Sequence, residues 1–343
     1  MRAATYVGDQ TFRIEDRDEQ APGAGEVRLD VAYVGICGTD LHIKHGAMDA
    51  RVCTPAIIGH EMSGTVAAVG EGVTGWAPGD RVTVMPLDWC GRCPACQAGH
   101  QHVCQNLVFV GIDAPGAMQQ SWTVPARLLV RLPQDLALAH GALAEPVAVA
   151  AHDVRRAGVQ RGQRVLVVGG GPIGTLIASV AANEGAQVLV SEPDAFRRAV
   201  ASRLGLETVD PTADDVASVV ETWTAGAGAD VAFEVSGSGQ GLAAAIHALR
   251  VRGRLVVVAI HNQPVPVDLF RVFWRELELF GARVYERADF QRAVELLATG
   301  AIPAATLISS IEPLEHTQAA FTTLEGGAAV MKVLIDCRRG GSG

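Results

Sequence analysis

Four cysteines sit on one short run, Cys90, Cys93, Cys96 and Cys104, with the spacing C-x2-C-x2-C-x7-C. Four thiolates suit the tetrahedral sulfur coordination of Zn²⁺, and a closed set with no open position is structural. Gly91, Pro94 and Gly99 would let the backbone curl around the ion. A second group is dispersed. Cys37 and His42 lie in Gly35-Ile36-Cys37-Gly38-Thr39-Asp40-Leu41-His42, His60 in Gly59-His60-Glu61, and Glu145 in Ala144-Glu145-Pro146. Together they offer one thiolate, one imidazole and one or two carboxylates, a catalytic zinc set with a position left for water or substrate. Singly they are ordinary. A cysteine after an apolar strand packs in a core, a His-Glu pair sits on a surface, and a glutamate before proline opens a helix. Thr39 could pass a proton outward and His42 could deliver it to solvent. Thr39 could equally be a helix N-cap.

A third signal is the run Val165-Leu166-Val167-Val168-Gly169-Gly170-Gly171-Pro172-Ile173-Gly174. It reads as a buried strand entering G-x-G-x-x-G and then a helix. The next strand ends at Ser191-Glu192, eighteen residues beyond Gly174. That is the dinucleotide-binding arrangement. Gly169 permits the tight turn, Gly171 lets backbone approach a pyrophosphate, and Gly174 lets helix and strand pack closely. The helix N-terminus, with Pro172 and Ile173, offers N–H groups and positive potential to the phosphates. A carboxylate at Glu192 can accept ribose hydroxyls and repels a 2′-phosphate, which favours NAD over NADP. Arg197 and Arg198 pull the other way, because an arginine there can bind that phosphate; they read equally as solvated helix residues.

These groups need elements to position them. Residues 1 to about 130 read as β-rich, with short apolar runs such as Glu26–Val34, Gly64–Val69 and Arg81–Met85 bounded by turn residues. From about residue 140 the pattern alternates. Helices are expected over 142–157, 173–184, 195–204, 215–224 and 241–249, and strands over 164–168, 187–191, 229–234, 254–260 and 277–281. Alternation with fully apolar strands implies a parallel sheet covered on both faces. Val235-Ser236 and Ala259-Ile260, at the ends of later strands, would line a cofactor, although Ser236 reads equally as a turn residue. Helices over 289–299 and 314–323 and a strand over 330–335 close the chain, with a glycine-rich tail after them expected to fray.

At 343 residues the chain has room for about two domains. It is 49% hydrophobic and 19% charged, which excludes a largely disordered protein. A net charge of −9 without a basic patch makes it a poor nucleic-acid binder. Val165 to Ala182 is uncharged, but Gly169-Gly170-Gly171-Pro172 would break a spanning helix, so no membrane segment is expected. The odd total of seven cysteines and the absence of an apolar leader fit metal binding in a reducing, cytoplasmic compartment. The 38 glycines fit many tight turns and a backbone that approaches ligands.

The segments GICGTDLH (35–42), IIGHEMSGTV (57–66), VGEGVTGWAPGDRV (69–82), the four-cysteine loop, ALAEPVAVAAHDVRRAG (142–158) and VLVVGGGPIG (165–174) carry a resemblance over essentially the whole chain. It resembles the zinc-containing medium-chain alcohol and polyol dehydrogenases. The segments SEPDAFRRAVASRLG (191–205), VAFEVSG (231–237) and PVPVDL (264–269) look most like the 2,3-butanediol dehydrogenase branch, with sorbitol and threonine dehydrogenases more distant. The resemblance implies an α/β protein with a GroES-like catalytic domain over 1–147, to which 283–343 returns. A Rossmann-type NAD-binding domain over 148–282 would be inserted in it. It implies one catalytic zinc on Cys37, His60 and Glu145, with Glu61 a carboxylate of variable role, and one structural zinc on the four cysteines. It implies hydride transfer from a secondary alcohol, vicinal diol or polyol to NAD, the proton leaving through Thr39, the cofactor ribose and His42. A homodimer or homotetramer would be usual. Glu145 stands where the liver-type alcohol dehydrogenases use a second cysteine. The segment between Cys37 and His60 is short, at twenty-two residues, and carries Lys44, His45, Asp49 and Arg51; Arg283 also falls where pocket residues are expected. Competing readings are a zinc-free quinone-type reductase of the same fold, which would lack both metal sets, and a non-catalytic NAD-binding zinc protein.

Overall fold

The computed structural model describes residues 1–326 and 329–339, so the glycine-rich end from Gly340 lies outside the described residues. The chain divides into two compact units: Met1–Glu145, Glu286–Gly300 and Ile308–Gly343 in the first, Pro146–Tyr285 and Ala301–Leu307 in the second. The sequence expectation puts 1–147 and 283–343 in the first unit; 146–147, 283–285 and 301–307 fall in the second instead. The last of these contains the short helix Ala304–Leu307, with Ala304 and Leu307 buried, which packs on the helix Ala195–Arg203. Four residues are too few for periodicity to reveal.

The first unit is built on a largely antiparallel seven-stranded sheet. Its path runs Leu129–Arg131, Arg81–Val84, Glu61–Val69, Glu26–Gly35, Lys332–Asp336 and Ile308–Pro313, with Ser121–Pro125 also paired to Glu26–Gly35. Glu26–Gly35 alternates buried and more exposed positions over much of its length, as expected of a strand with one face on a core. Its end is the organising point. Gly35 pairs with Glu61 on one side and with Leu334 on the other. Cys37, His60, Glu61 and the start of the last strand therefore converge. A separate three-stranded sheet, Phe12–Asp16, Arg2–Tyr6 and Ala56–Ile57, holds the chain on either side of that region.

The second unit has a six-stranded parallel sheet in the order Glu207–Val209, Gln187–Ser191, Arg164–Val168, Ala229–Glu234, Leu249–Val257 and Glu278–Gly281. Numbered along the chain this is 3-2-1-4-5-6, the doubly wound order with its switch between Arg164–Val168 and Ala229–Glu234. Val165, Leu166 and Val167 are fully buried, as strands covered on both faces require. The expected strand over 254–260 starts earlier, at Leu249, and ends at Val257; Arg252, at φ +58°, and a register shift mark its irregular first half. The sequence gives no sign of the helix Leu269–Trp274. No helix among the described residues is long and apolar enough to cross a membrane.

Candidate active site

Cys37 ends the turn after Glu26–Gly35 and is the N-cap of the helix Gly38–Lys44. Its N–H donates to Asp40 Oδ2 at 2.9 Å, so Asp40 closes the cap from the third helical position. Thr39 is therefore not the cap; it stands inside the first turn, half-buried, with His42 exposed three residues further along. On a helix that spacing places the two side chains on one face.

The donor atoms of Cys37, His60 and Glu61 all lie within 4.8 Å of one another. His60 and Glu61 are almost wholly buried and Cys37 is half-buried. Such separations fit one tetrahedral ion with ligand bonds of about 2.0–2.3 Å. The site is also short of positive charge. Burial works to lower the pKa of His60, yet the anions Asp40, Cys37 and Glu145 outweigh it and hold the imidazole at about 10. His60 Nδ1 and Asp40 Oδ1 face each other at 3.7 Å, and both are buried without a hydrogen-bond partner. Burial drives the Asp40 carboxyl above its ordinary value. A divalent cation on Cys37, His60 and Glu61 would offset this local excess of anions. Phe109 meets the His60 ring edge-on at 5.2 Å and fixes its plane.

Glu61 is not idle. Lys332 Nζ donates to both its oxygens, at 2.8 and 2.7 Å, and to the Ile36 carbonyl at 3.1 Å. Glu145, buried in the first turn of the helix Ala144–Ala157, is outside the three-residue group but close enough to act on the charges of His60 and Lys332. Asp40, Phe109 and Lys332 are functional neighbours that the sequence did not reveal. Asp40 alone carried a signal, as the acidic residue three after Cys37 that completes a capping box.

The four remaining donors, Cys90, Cys93, Cys96 and Cys104, also cluster within 4.8 Å. Cys93 and Cys104 sulfurs stand 3.7 Å apart, Cys90 and Cys104 3.5 Å. Zn–S bonds of about 2.3 Å in a tetrahedron imply about 3.8 Å between sulfurs. The N–H groups of Gln105 and Asn106 point at Cys93 and Cys104. Backbone N–H groups, that of Arg92 first, bring the Cys90 thiol down to about 6 and favour the thiolate a metal needs.

In the second unit, Gly169 sits at φ +103° and Gly171 is the N-cap of the helix Pro172–Asn183. A Cβ on Gly174 would fall 1.8 Å from the Gly169 carbonyl oxygen, so this turn closes only over glycine. Ile173 and Gly174, in the first turn, have N–H groups with no intrahelical acceptor. These are what a pyrophosphate requires. A Cβ on Gly171 would meet only Arg197, at 3.7 Å, which leaves the approach open and puts that guanidinium beside the loop. Arg198 is committed elsewhere, to Asp210 at 2.9 Å and to the carbonyls of Glu192 and Pro193. Glu192 accepts the N–H groups of Gly170 and Asp194 at 2.7 and 2.8 Å, so it braces the glycine loop. Val235 and Ser236 come directly after the strand Ala229–Glu234, and Ala259 and Ile260 come just beyond Leu249–Val257. Ser236 bonds Glu234 with its N–H and its hydroxyl, the turn-residue arrangement.

Residues 23–134 match the alcohol dehydrogenase GroES-like domain, and residues 172–299 match the zinc-binding dehydrogenase domain. The chain is 53% identical over 337 residues to the 2-dehydro-3-deoxy-L-galactonate 5-dehydrogenase of Pseudoalteromonas atlantica, covering 98% of this chain and 99% of that one. It belongs to the zinc-containing medium-chain alcohol and polyol dehydrogenases. Two solved structures share its fold. A zinc-binding dehydrogenase from Sinorhizobium meliloti bound to NADP has a TM-score of 0.91 and 32% identity over 98% of each chain. The 2R,3R-butanediol dehydrogenase of Bacillus subtilis has a TM-score of 0.90 and 30% identity over 98% of this chain and 99% of that one. The enzyme is thus a zinc dehydrogenase that uses a nicotinamide dinucleotide, with a GroES-like part and a Rossmann-type part.

Proposed function

We propose that this dehydrogenase oxidises a secondary hydroxyl on a polyhydroxylated acid or polyol to the ketone, with NAD as acceptor. The buried convergence of Cys37, His60 and Glu61 donors carries the chemistry. Identity of 53% to a sugar-acid dehydrogenase supports a larger, hydroxylated substrate over butanediol. The 30% identity to the butanediol enzyme supports a small vicinal diol as the second reading.

Zinc would be held by Cys37, His60 and a carboxylate: Glu145, as the family resemblance implies, or Glu61, whose oxygens gather with Cys37 and His60 and also accept from Lys332. When bound, zinc would supply Lewis acidity that favours loss of the hydroxyl proton, and NAD would supply the hydride acceptor. Asp40 faces Nδ1 of His60 and orients its ring. Thr39 takes the departing proton, and His42, exposed on the same helix face, releases it to solvent. Ile173 and Gly174 would offer their N–H groups to the pyrophosphate, and Glu192, which holds the glycine loop in shape, would disfavour a 2′-phosphate.

The test is NADH formation from a panel of sugar acids, polyols, threonine and 2,3-butanediol, with and without chelator. Chelator-sensitive turnover with kcat/KM at least about tenfold higher on a sugar acid than on butanediol supports the reading. The reverse ratio overturns it in favour of the diol. Cys37→Ser should abolish turnover and leave NADH binding intact; full activity in that variant would sink the zinc assignment.

A further inference from the structure

One buried acid–imidazole pair lies outside the metal set. Glu234, fully buried, is the last ladder residue of its strand, paired with Val257. Past this point the two strands have no further ladder pairs. The main-chain ties that remain are those from Val258 N and Ala259 N to the Glu234 carbonyl, at 3.0 and 3.1 Å. The side chain of Glu234 bridges the two diverging segments. Its Oε1 accepts from Ser236 N at 2.9 Å, Ser236 Oγ at 2.6 Å and Gly237 N at 3.0 Å. Its Oε2 lies 2.9 Å from His261 Nε2. A carboxylate oxygen only accepts, so Nε2 carries the proton. One carboxylate thus ties the turn 235–237 to the segment 258–261.

Beyond His261 the chain borders an open groove of about 450 Å³ whose lining includes Leu242, Asn262, Gln263 and Pro264. Val265 and Val267 pack on the core further along, while at His261 itself the chain is tied to the neighbouring turn by the hydrogen bond to Glu234. This pair flanks Val235, Ser236, Ala259 and Ile260, the strand-end residues expected to line the cofactor; their strands lie across Arg164–Val168 from the strand that leads to Glu192, so with a ribose at Glu192 and the pyrophosphate at the glycine loop the nicotinamide half would fall on their side.

We propose that His261 and Glu234 form a latch that sets the nicotinamide-binding geometry, with His261 as a positioning residue. The inference rests on the proposed placement of the cofactor. Its test compares NADH with ADP-ribose, which lacks the nicotinamide, by calorimetric binding to the purified full chain. In His261→Leu, NADH should bind about tenfold more weakly and ADP-ribose unchanged; tenfold corresponds to about 1.4 kcal/mol, the scale of one charge-assisted hydrogen bond. His261→Gln, whose amide N–H can reach the same carboxylate, should recover most of the loss. A merely structural histidine would lower the melting temperature and weaken both ligands alike, and that result overturns the proposal. So does NADH binding unchanged in His261→Leu. If wild-type protein binds NADH no more tightly than ADP-ribose, the cofactor placement itself fails, and the latch with it.

Discussion

Replacing Lys332 by methionine tests the electrostatic balance of the metal site. Its ammonium lies 2.7 Å from Glu61, with both side chains at most 5% exposed. At an effective dielectric of about 20, attraction at 2.7 Å is roughly 6 kcal/mol. Desolvation of both groups takes back part of this, and losing one partner of a buried pair costs about 3–5 kcal/mol. At about 2–4 °C per kcal/mol, the first unit of chelator-treated Lys332→Met should melt about 6–20 °C below wild type. Scanning calorimetry is the assay, because two units can unfold separately. Adding zinc should narrow the gap, since the ion supplies the missing positive charge. Glu61→Gln in the Lys332→Met background should restore stability, with a coupling energy of about 2 kcal/mol or more. A melting temperature within about 1 °C of wild type, or strictly additive double-mutant losses, would refute the reasoning.

Gly174→Ala should abolish NADH binding and lower the stability of the second unit, whereas Gly171→Ala should weaken NADH binding by about tenfold or more at an unchanged melting temperature; equal effects of the two on stability would contradict the packing of the loop. Arg197→Ala should reduce NADP affinity more than NAD affinity, and Glu192→Ala should weaken NAD and relax the preference against NADP; unchanged ratios in fluorescence titrations would remove both roles. Cys104→Ser should bring zinc from about two ions per chain to about one, read by elemental analysis, with turnover falling less than stability; loss of both ions would mean that the two sites are not independent.

The metal cysteines and the glycine loop were legible because their chemistry is local. Each depends on residue types at short spacing within one loop or one strand–turn–helix unit. The counter-charges were not. Lys332 lies 271 residues from Glu61, and a lysine opening a strand reads as a solvent residue until the sheet pairing is known. In sequence Thr39 reads equally as a proton carrier or as the helix N-cap; Cys37 takes the cap because Asp40 reaches back to its N–H. The strand from Leu249 was read late because Arg250, Arg252 and Gly253 break its apolar run, although the ladder tolerates them through a register shift. Leu269–Trp274 was missed because six mostly apolar, exposed residues show no polar face.

The last strand brings an ordering to the protein's birth. The second unit draws nearly all its residues from one continuous stretch, Pro146–Tyr285, and can close as soon as that stretch and the short 301–307 segment have left the ribosome. The first unit begins earlier and finishes later. Cys37, His60 and Glu61 emerge early, yet the ammonium that neutralises Glu61 arrives only with Lys332, when synthesis is almost over. Through most of translation Glu61 therefore lacks the buried ammonium that pairs with it in the finished fold, and the pair forms only when the final strand docks.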